Sequence, residues 1–284
     1  MSVDRARRDS INHRLANLAA ERQVAPERIR RHFVFQRILV RLSATEGWVL
    51  KGGFALEVRL GLQARATKDL DLAILDNLDG EEVQERLLDA LDLDDDDGLT
   101  FQVSAPKALA RDEAGNLGWK FTVTSFLGGK VFAPLRLDVV ARSAEIAGAV
   151  GTVEVHPPIL VDELSSTAMP AVDVAQHAAE KFHAMARTYA GDRPSSRVKD
   201  LVDVALLAEA GLLPHPDLAG RLETVWQVRD GVPPPAELPE FPASWPTEYA
   251  AMATDLDLAV DYATARSTAA RILAEAVTTE ENPS

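Results

Sequence analysis

Apolar residues recur at helical spacing over residues 4–23, where Ile11, Leu15, Leu18 and Ala19 share a face, and predict a first helix. A second is predicted over 26–45, with Pro26 in its first turn and Ile29, Phe33, Gln36 and Val40 along its stripe. The pattern then shortens. Residues 48–50 read as a buried strand ending at Gly52-Gly53, 54–60 as a helix closed by Gly61, and 70–75 as another strand. A helix over 81–91 and an acidic loop over 94–97 precede three strand-like segments at 99–104, 119–126 and 135–140. Gly128-Gly129 suits a hairpin turn between the last two. Residues 153–160, with Pro157-Pro158, close this mixed region.

From Val172 onward the strand pattern stops. Helices are predicted over 172–189, 198–210, 216–228, 248–262 and 263–277, and the prolines of 233–246 prevent one regular element there. The pattern therefore divides near residue 165: an α/β (α+β) part over 1–165 and an all-helical part over 166–284. A chain of 284 residues accommodates two such domains. No apolar run is long enough for a membrane span, and the charged N-terminus is not followed by a secretory apolar stretch, so a cytoplasmic protein is expected. Zero cysteines exclude disulfides, thiolate zinc sites and cysteine nucleophiles.

The net charge of −14 argues against a whole surface that binds nucleic acid. Its distribution is uneven, with eleven basic residues against five acidic ones between Met1 and Lys51. That basic stretch reads either as an RNA-contacting edge or as solvated helix faces and ion-pair partners.

The chemistry gathers around Asp69-Leu70-Asp71. Alternate strand residues share a face, so both carboxylates project together and repel unless a cation lies between them. Such a pair suits Mg²⁺ with positions left open for phosphate oxygens. Gly52 and Gly53 upstream permit close backbone approach to a polyphosphate. Asp138, alone among β-formers in Leu135-Arg136-Leu137-Asp138, is a third metal ligand, the partner of Arg136 or Arg142, or part of a solvated face. Lys181 falls beside the apolar stripe Val174, Ala178, Phe182, Met185 and Tyr189 and either snorkels outward, the commoner outcome, or meets a triphosphate. Asp200 pairs with Lys181 or Arg197, orients a substrate, or merely meets the helix dipole, and Asp203 is its alternative. Asp255-Leu256-Asp257 reads as solvated helix surface, Ser195-Ser196 as capping residues, and His177 and His183 as lying on different helix faces rather than on one zinc ion.

In order, LKGGFALEVRLG, RATKDLDLAI, LRLDVV, AEKFHAMA and RVKDLVDVALL resemble the AbiEii/AbiGii family of nucleotidyltransferase-like toxins, which includes the MenT toxins. The resemblance spans roughly residues 48 to 210, and the ordered set is more specific than any one motif. It implies a DNA polymerase β-like nucleotidyltransferase core with a mixed sheet, followed by a helical domain that completes the active-site cleft. It further implies a toxin of a toxin–antitoxin pair that moves NMP from an NTP to the 3′ acceptor end of tRNA, with Mg²⁺ as cofactor and an antitoxin protein as partner. By position, Gly52 and Gly53 match the glycine motif, with Thr67 beside the phosphate site, and Asp69 and Asp71 match the metal pair. Lys181 matches the motif lysine and Asp200 the motif aspartate, while Asp138 matches the third carboxylate of the wider superfamily. A Gly-Gly where many relatives have Gly-Ser removes one hydroxyl contact. Transfer to a protein or small molecule, and a non-catalytic nucleotide-binding module, are the alternative readings.

Overall fold

Short β-rich segments that alternate buried and exposed positions build one mixed sheet in this computed structural model, which describes residues 3–76, 78–109, 117–141, 145–146, 148–159, 164–187 and 195–280. Its strands are β1 (Trp48–Lys51), β2 (Asp69–Ile74), β3 (Leu99–Val103), β4 (Lys107–Ala108), β5 (Gly118–Leu127), β6 (Lys130–Ala141), β7 (Val150–Val155) and β8 (Thr167–Val172). They run in the order β3-β5-β6-β2-β1-β8-β7, with β4 also paired to β5. β2 lies antiparallel to β1 and parallel to β6, which makes the sheet mixed as expected. β5 and β6 form a hairpin across Gly128 and Gly129, both at positive φ as a tight turn requires.

The chain divides into two compact units. The first holds Met1–Val58, Ala66–Ser143 and Gly151–Ala171; the second holds Arg59–Arg65, Ala144–Val150 and Val172–Ser284. β8 lies past residue 165, in a segment whose Pro170 disguises it as a loop; that proline is exposed.

In the first unit, α1 (Val3–Glu21) packs on α2 (Pro26–Ser43), which in turn meets β6 and α4 (Gly80–Leu91), while α4 covers β3. The core contains Leu70, Leu72, Phe121, Val123, Leu137 and Val139 from alternate strand positions. α2 is buried almost all round between Phe33 and Leu42, so for Arg37 and Arg41 the ion-pair alternative holds and not the outer edge. Arg37 and Arg41 lie inside, both bound to the fully buried Asp97 of the acidic loop: Arg37 Nε to Oδ2 at 3.0 Å, Arg41 Nη1 to Oδ2 at 2.7 Å and Arg41 Nη2 to Oδ1 at 2.8 Å. Asp95 also pairs with Arg37. The basic surplus of the N-terminal stretch is therefore partly an internal charge pair, and Arg28 is likewise paired with Glu57.

The second unit contains α5 (Val174–Ala186), α6 (Val198–Glu209), α7 (Leu218–Asp230), α8 (Trp245–Asp255) and α9 (Tyr262–Glu280). α5 packs on α6 and α7, and α9 on α6, α7 and α8, around Phe182, Leu201, Leu222, Val225, Ile272 and Leu273. Ala178, Phe182 and Met185 of the expected stripe are fully buried, Val174 only half so, and Tyr189 lies outside the described residues. Asp255 ends α8 and Asp257 takes φ +53, so those two acids do not share one helix. Among the described residues no helix is long and apolar enough to cross a membrane.

Candidate active site

β2 and β6 bring the first three candidates together. Asp71 stands in register with Asp138, and Asp69 with Arg136. Registered residues of neighbouring strands share a face, so all three carboxylates project from one side of the sheet while Leu70, Leu72, Leu137 and Val139 fill the other. Of the two expected partners of Asp138, Arg136 pairs with Asp69 instead. Asp138 Oδ2 lies 3.4 Å from Lys120 Nζ, whereas Arg136 Nη1 lies 3.7 Å from Asp69 Oδ1, and Arg142 falls outside the described residues. Both pairs are long: Oδ1 of Asp69, the oxygen that faces Arg136, and Oδ1 of Asp138 are buried without a hydrogen-bond partner. Burial pushes the Asp138 carboxyl above its ordinary range; Lys120 opposes this and the neighbouring Asp69 adds to it. Buried oxygens of like charge without donors fit a hard cation such as Mg²⁺, which takes oxygen ligands. Among the described residues no three acids or histidines are yet gathered tightly enough to hold a metal ion as they stand.

The glycine pair opens α3 (Gly52–Leu60) directly after β1. Gly52 takes φ +63, and a methyl built on it would lie 2.0 Å from Asp71 Oδ2. A methyl on Gly53 would lie 2.9 Å from Thr67 Oγ1. Both positions thus need glycine for packing against the two neighbouring site residues, before any phosphate is considered. Thr67 Oγ1 donates to the carbonyl of Asp69 at 3.1 Å, which fixes the entry to β2. Behind it, the buried Glu57 reaches the Thr67 amide at 3.5 Å and accepts from Arg28 Nε at 3.1 Å. Sequence reasoning passed over Glu57 and Lys120; an acid at a helical core position and a lysine on a half-buried strand were the available signals.

The remaining candidates meet within the second unit. Lys181 does not snorkel: it is buried, with Nζ 2.9 Å from Asp200 Oδ1 and 2.8 Å from Asp203 Oδ2. Arg197 Nε binds Asp200 Oδ2 at 2.6 Å, and Arg65 binds Asp203 through Nε at 3.3 Å and Nη2 at 3.2 Å. Three cations therefore face two carboxylates. Burial alone would raise Asp203, yet Lys181 and then Arg65 bring it down to about 2. Burial would lower Lys181, but Asp200 and Asp203 outweigh it and hold the ammonium charged. Asp200 and Asp203 act together here, where the sequence offered them as alternatives. One turn earlier, His177 is pushed down to about 3 by burial and then by Lys181, and neither ring nitrogen has a hydrogen-bond partner. His183 instead binds Asp230 at 2.9 Å. The Ser195 hydroxyl donates to the Ala184 carbonyl in the last turn of α5 at 2.8 Å and accepts from the amide of Arg197, the N-cap of α6, at 3.2 Å.

The model of one protein family, described as nucleotidyl transferase AbiEii toxin of a type IV toxin–antitoxin system, matches residues 34–272. MenT4, a nucleotidyltransferase toxin from Mycobacterium tuberculosis H37Rv, shares the fold at a TM-score of 0.54 and 18% identity, over 94% of this chain and 98% of that one. JHP933 from Helicobacter pylori aligns at a TM-score of 0.48 and 17% identity, over 90% of this chain and 93% of that one. No curated protein sequence matches the chain.

Proposed function

This chain belongs to the AbiEii nucleotidyltransferase toxin family, and from that premise we propose that it transfers NMP from an NTP to the 3′ acceptor end of tRNA and so blocks translation. The observation that carries this reading is the registered trio Asp69, Asp71 and Asp138, with two of its oxygens buried and lacking donors. These three residues would hold Mg²⁺, which supplies charge neutralisation at the triphosphate.

The RNA 3′-oxygen attacks the α-phosphorus, the bond to the β-phosphate breaks, and pyrophosphate leaves. Asp138, in register with Asp71 on the neighbouring strand, receives the hydroxyl proton. The first-turn amides of α3 at Gly52 and Gly53 donate to phosphate oxygens, and Thr67 steadies the strand that bears Asp69. Within the second unit Asp200 and Asp203 hold the ammonium of Lys181, the motif lysine of the resemblance, in one place as a fixed cation. Little covalent work falls to the protein, so positioning and electrostatics dominate. A toxin of this family implies an antitoxin as its counterpart.

The acceptor is tested by incubating the protein with Mg²⁺ and each α-labelled NTP in the presence of deacylated tRNA, of protein or of neither. Label at the tRNA 3′ end is the expected result. Label on protein alone would replace tRNA as acceptor, and nucleotide binding without any product would reduce the protein to a binding module.

A further inference from the structure

Two rows of polar side chains cross the sheet on the face that carries the carboxylates. In the first, Lys107 of β4 lies opposite Lys120 of β5, Lys120 opposite Asp138 of β6, and Asp138 beside Asp71 of β2. In the second, Thr122 of β5 lies opposite Arg136 of β6, which stands beside Asp69 of β2. Partners in register share a face, so Lys107, Lys120, Thr122 and Arg136 continue outward from the three aspartates on the same side.

These residues face water. Lys107 and Thr122 are exposed, and the side chains of Lys120 and Arg136 keep 37% and 61% of their accessible surface. Two lysines directly opposite each other on neighbouring strands destabilise the pair. Among the described residues no carboxylate forms an ion pair with Lys107. The acids that Lys120 and Arg136 do meet, at 3.4 and 3.7 Å, are the site aspartates themselves. Fold stability does not account for this stripe, but an anionic ligand does.

Lys107 stands three strand spacings from Asp71, about 14 Å, so a ligand touching both ends extends well past one phosphate. We propose that the face of β4, β5 and β6 binds the phosphodiester backbone of a single RNA strand, with Lys107, Lys120 and Arg136 on successive phosphates and Thr122 between them. The strand's 3′ end is thereby delivered to Asp69, Asp71 and Asp138. Lysine, arginine and threonine bonds to phosphate position a strand without reading its bases, so this surface contributes affinity and register rather than sequence choice. Only the identification of the strand with the acceptor rests on the transfer reading.

The test is the affinity of an end-labelled oligoribonucleotide measured across a series of KCl concentrations. Removing one cationic side chain from a phosphate of a single strand flattens the slope of log K against log salt by about 0.7. Lys107→Ala and Arg136→Ala are each expected to flatten it by that amount and the double variant by about twice as much. Lys130→Ala, at the far end of the β5–β6 hairpin, is expected to leave it unchanged, and Lys107→Ala to leave NTP affinity unchanged. The proposal is overturned if wild type does not bind the strand, if Lys130→Ala matches Lys107→Ala, or if Lys107→Ala alters binding of NTP or of an acidic peptide instead of RNA. Because the readout is binding, RNA that binds with the expected slopes yet receives no label would end the tRNA-transfer reading and leave this surface standing.

Discussion

Asp69→Asn is expected to lower nucleotide transfer by about a thousandfold or more, the effect of several kcal/mol of lost charge stabilisation at the reacting phosphate. The fold should not notice. The Asp69 side chain is 35% exposed, and its ion pair with Arg136 is 3.7 Å long. A partly exposed pair of that length contributes at most about 1 kcal/mol, and removing the charge also relieves its repulsion with Asp138. Transfer rate and thermal midpoint measured on the same preparation separate the two effects. Activity within tenfold of wild type would remove Asp69 from the site, and a large drop in midpoint would make it a structural residue.

Asp97→Ala should do the opposite, with a cost of about 3–5 kcal/mol. Asp97 is fully buried and serves Arg37 and Arg41 at once; its Oδ1 also accepts from the Leu99 amide at 2.8 Å. Truncation leaves two buried guanidinium groups with reduced neutralisation, which is costlier than breaking a surface pair. Burial already presses the Arg37 guanidinium below its ordinary value, with Asp97 opposing that pressure. The thermal midpoint should fall by about 10 °C. A fall of less than about 2 °C would show that Asp95 and the backbone carbonyls suffice to hold both arginines.

These two aspartates mark what the sequence could and could not reveal. Asp69-Leu70-Asp71 was legible because a strand period of two is local: the spelling alone puts both acids on one face. The helices from 172 onward were legible for the same reason, through 3.6-residue spacing. Asp97 was not legible, because a run of four acids reads as solvated loop until two arginines from α2, some sixty residues earlier in the chain, are seen to enclose one of them. For Lys181 the helical spacing left outward and inward placements open, since the two acids that settle its burial come from another helix.

Register set a second limit. The Gly128-Gly129 turn pairs Leu127 with Lys130, and counting back from there sets Lys120 opposite Leu137. A bulge between Ser125 and Phe126 moves Lys120 one place, opposite Asp138. A one-residue slip exchanges the faces of a strand, so the lysine nearest the third carboxylate was hidden by a feature with no spelling of its own. The parallel pairing of β2 with β6, which brings Asp138 to Asp71, joins segments more than sixty residues apart and has no local signal either.

Whether this site moves a nucleotide and not a phosphate is tested most directly by supplying the same NTP labelled at the α-phosphate in one reaction and at the γ-phosphate in another, with Mg²⁺ and deacylated tRNA. Label in the RNA from the α-labelled NTP alone, with the γ-label recovered in pyrophosphate, is the predicted result; label in the acceptor from the γ-position would contradict it.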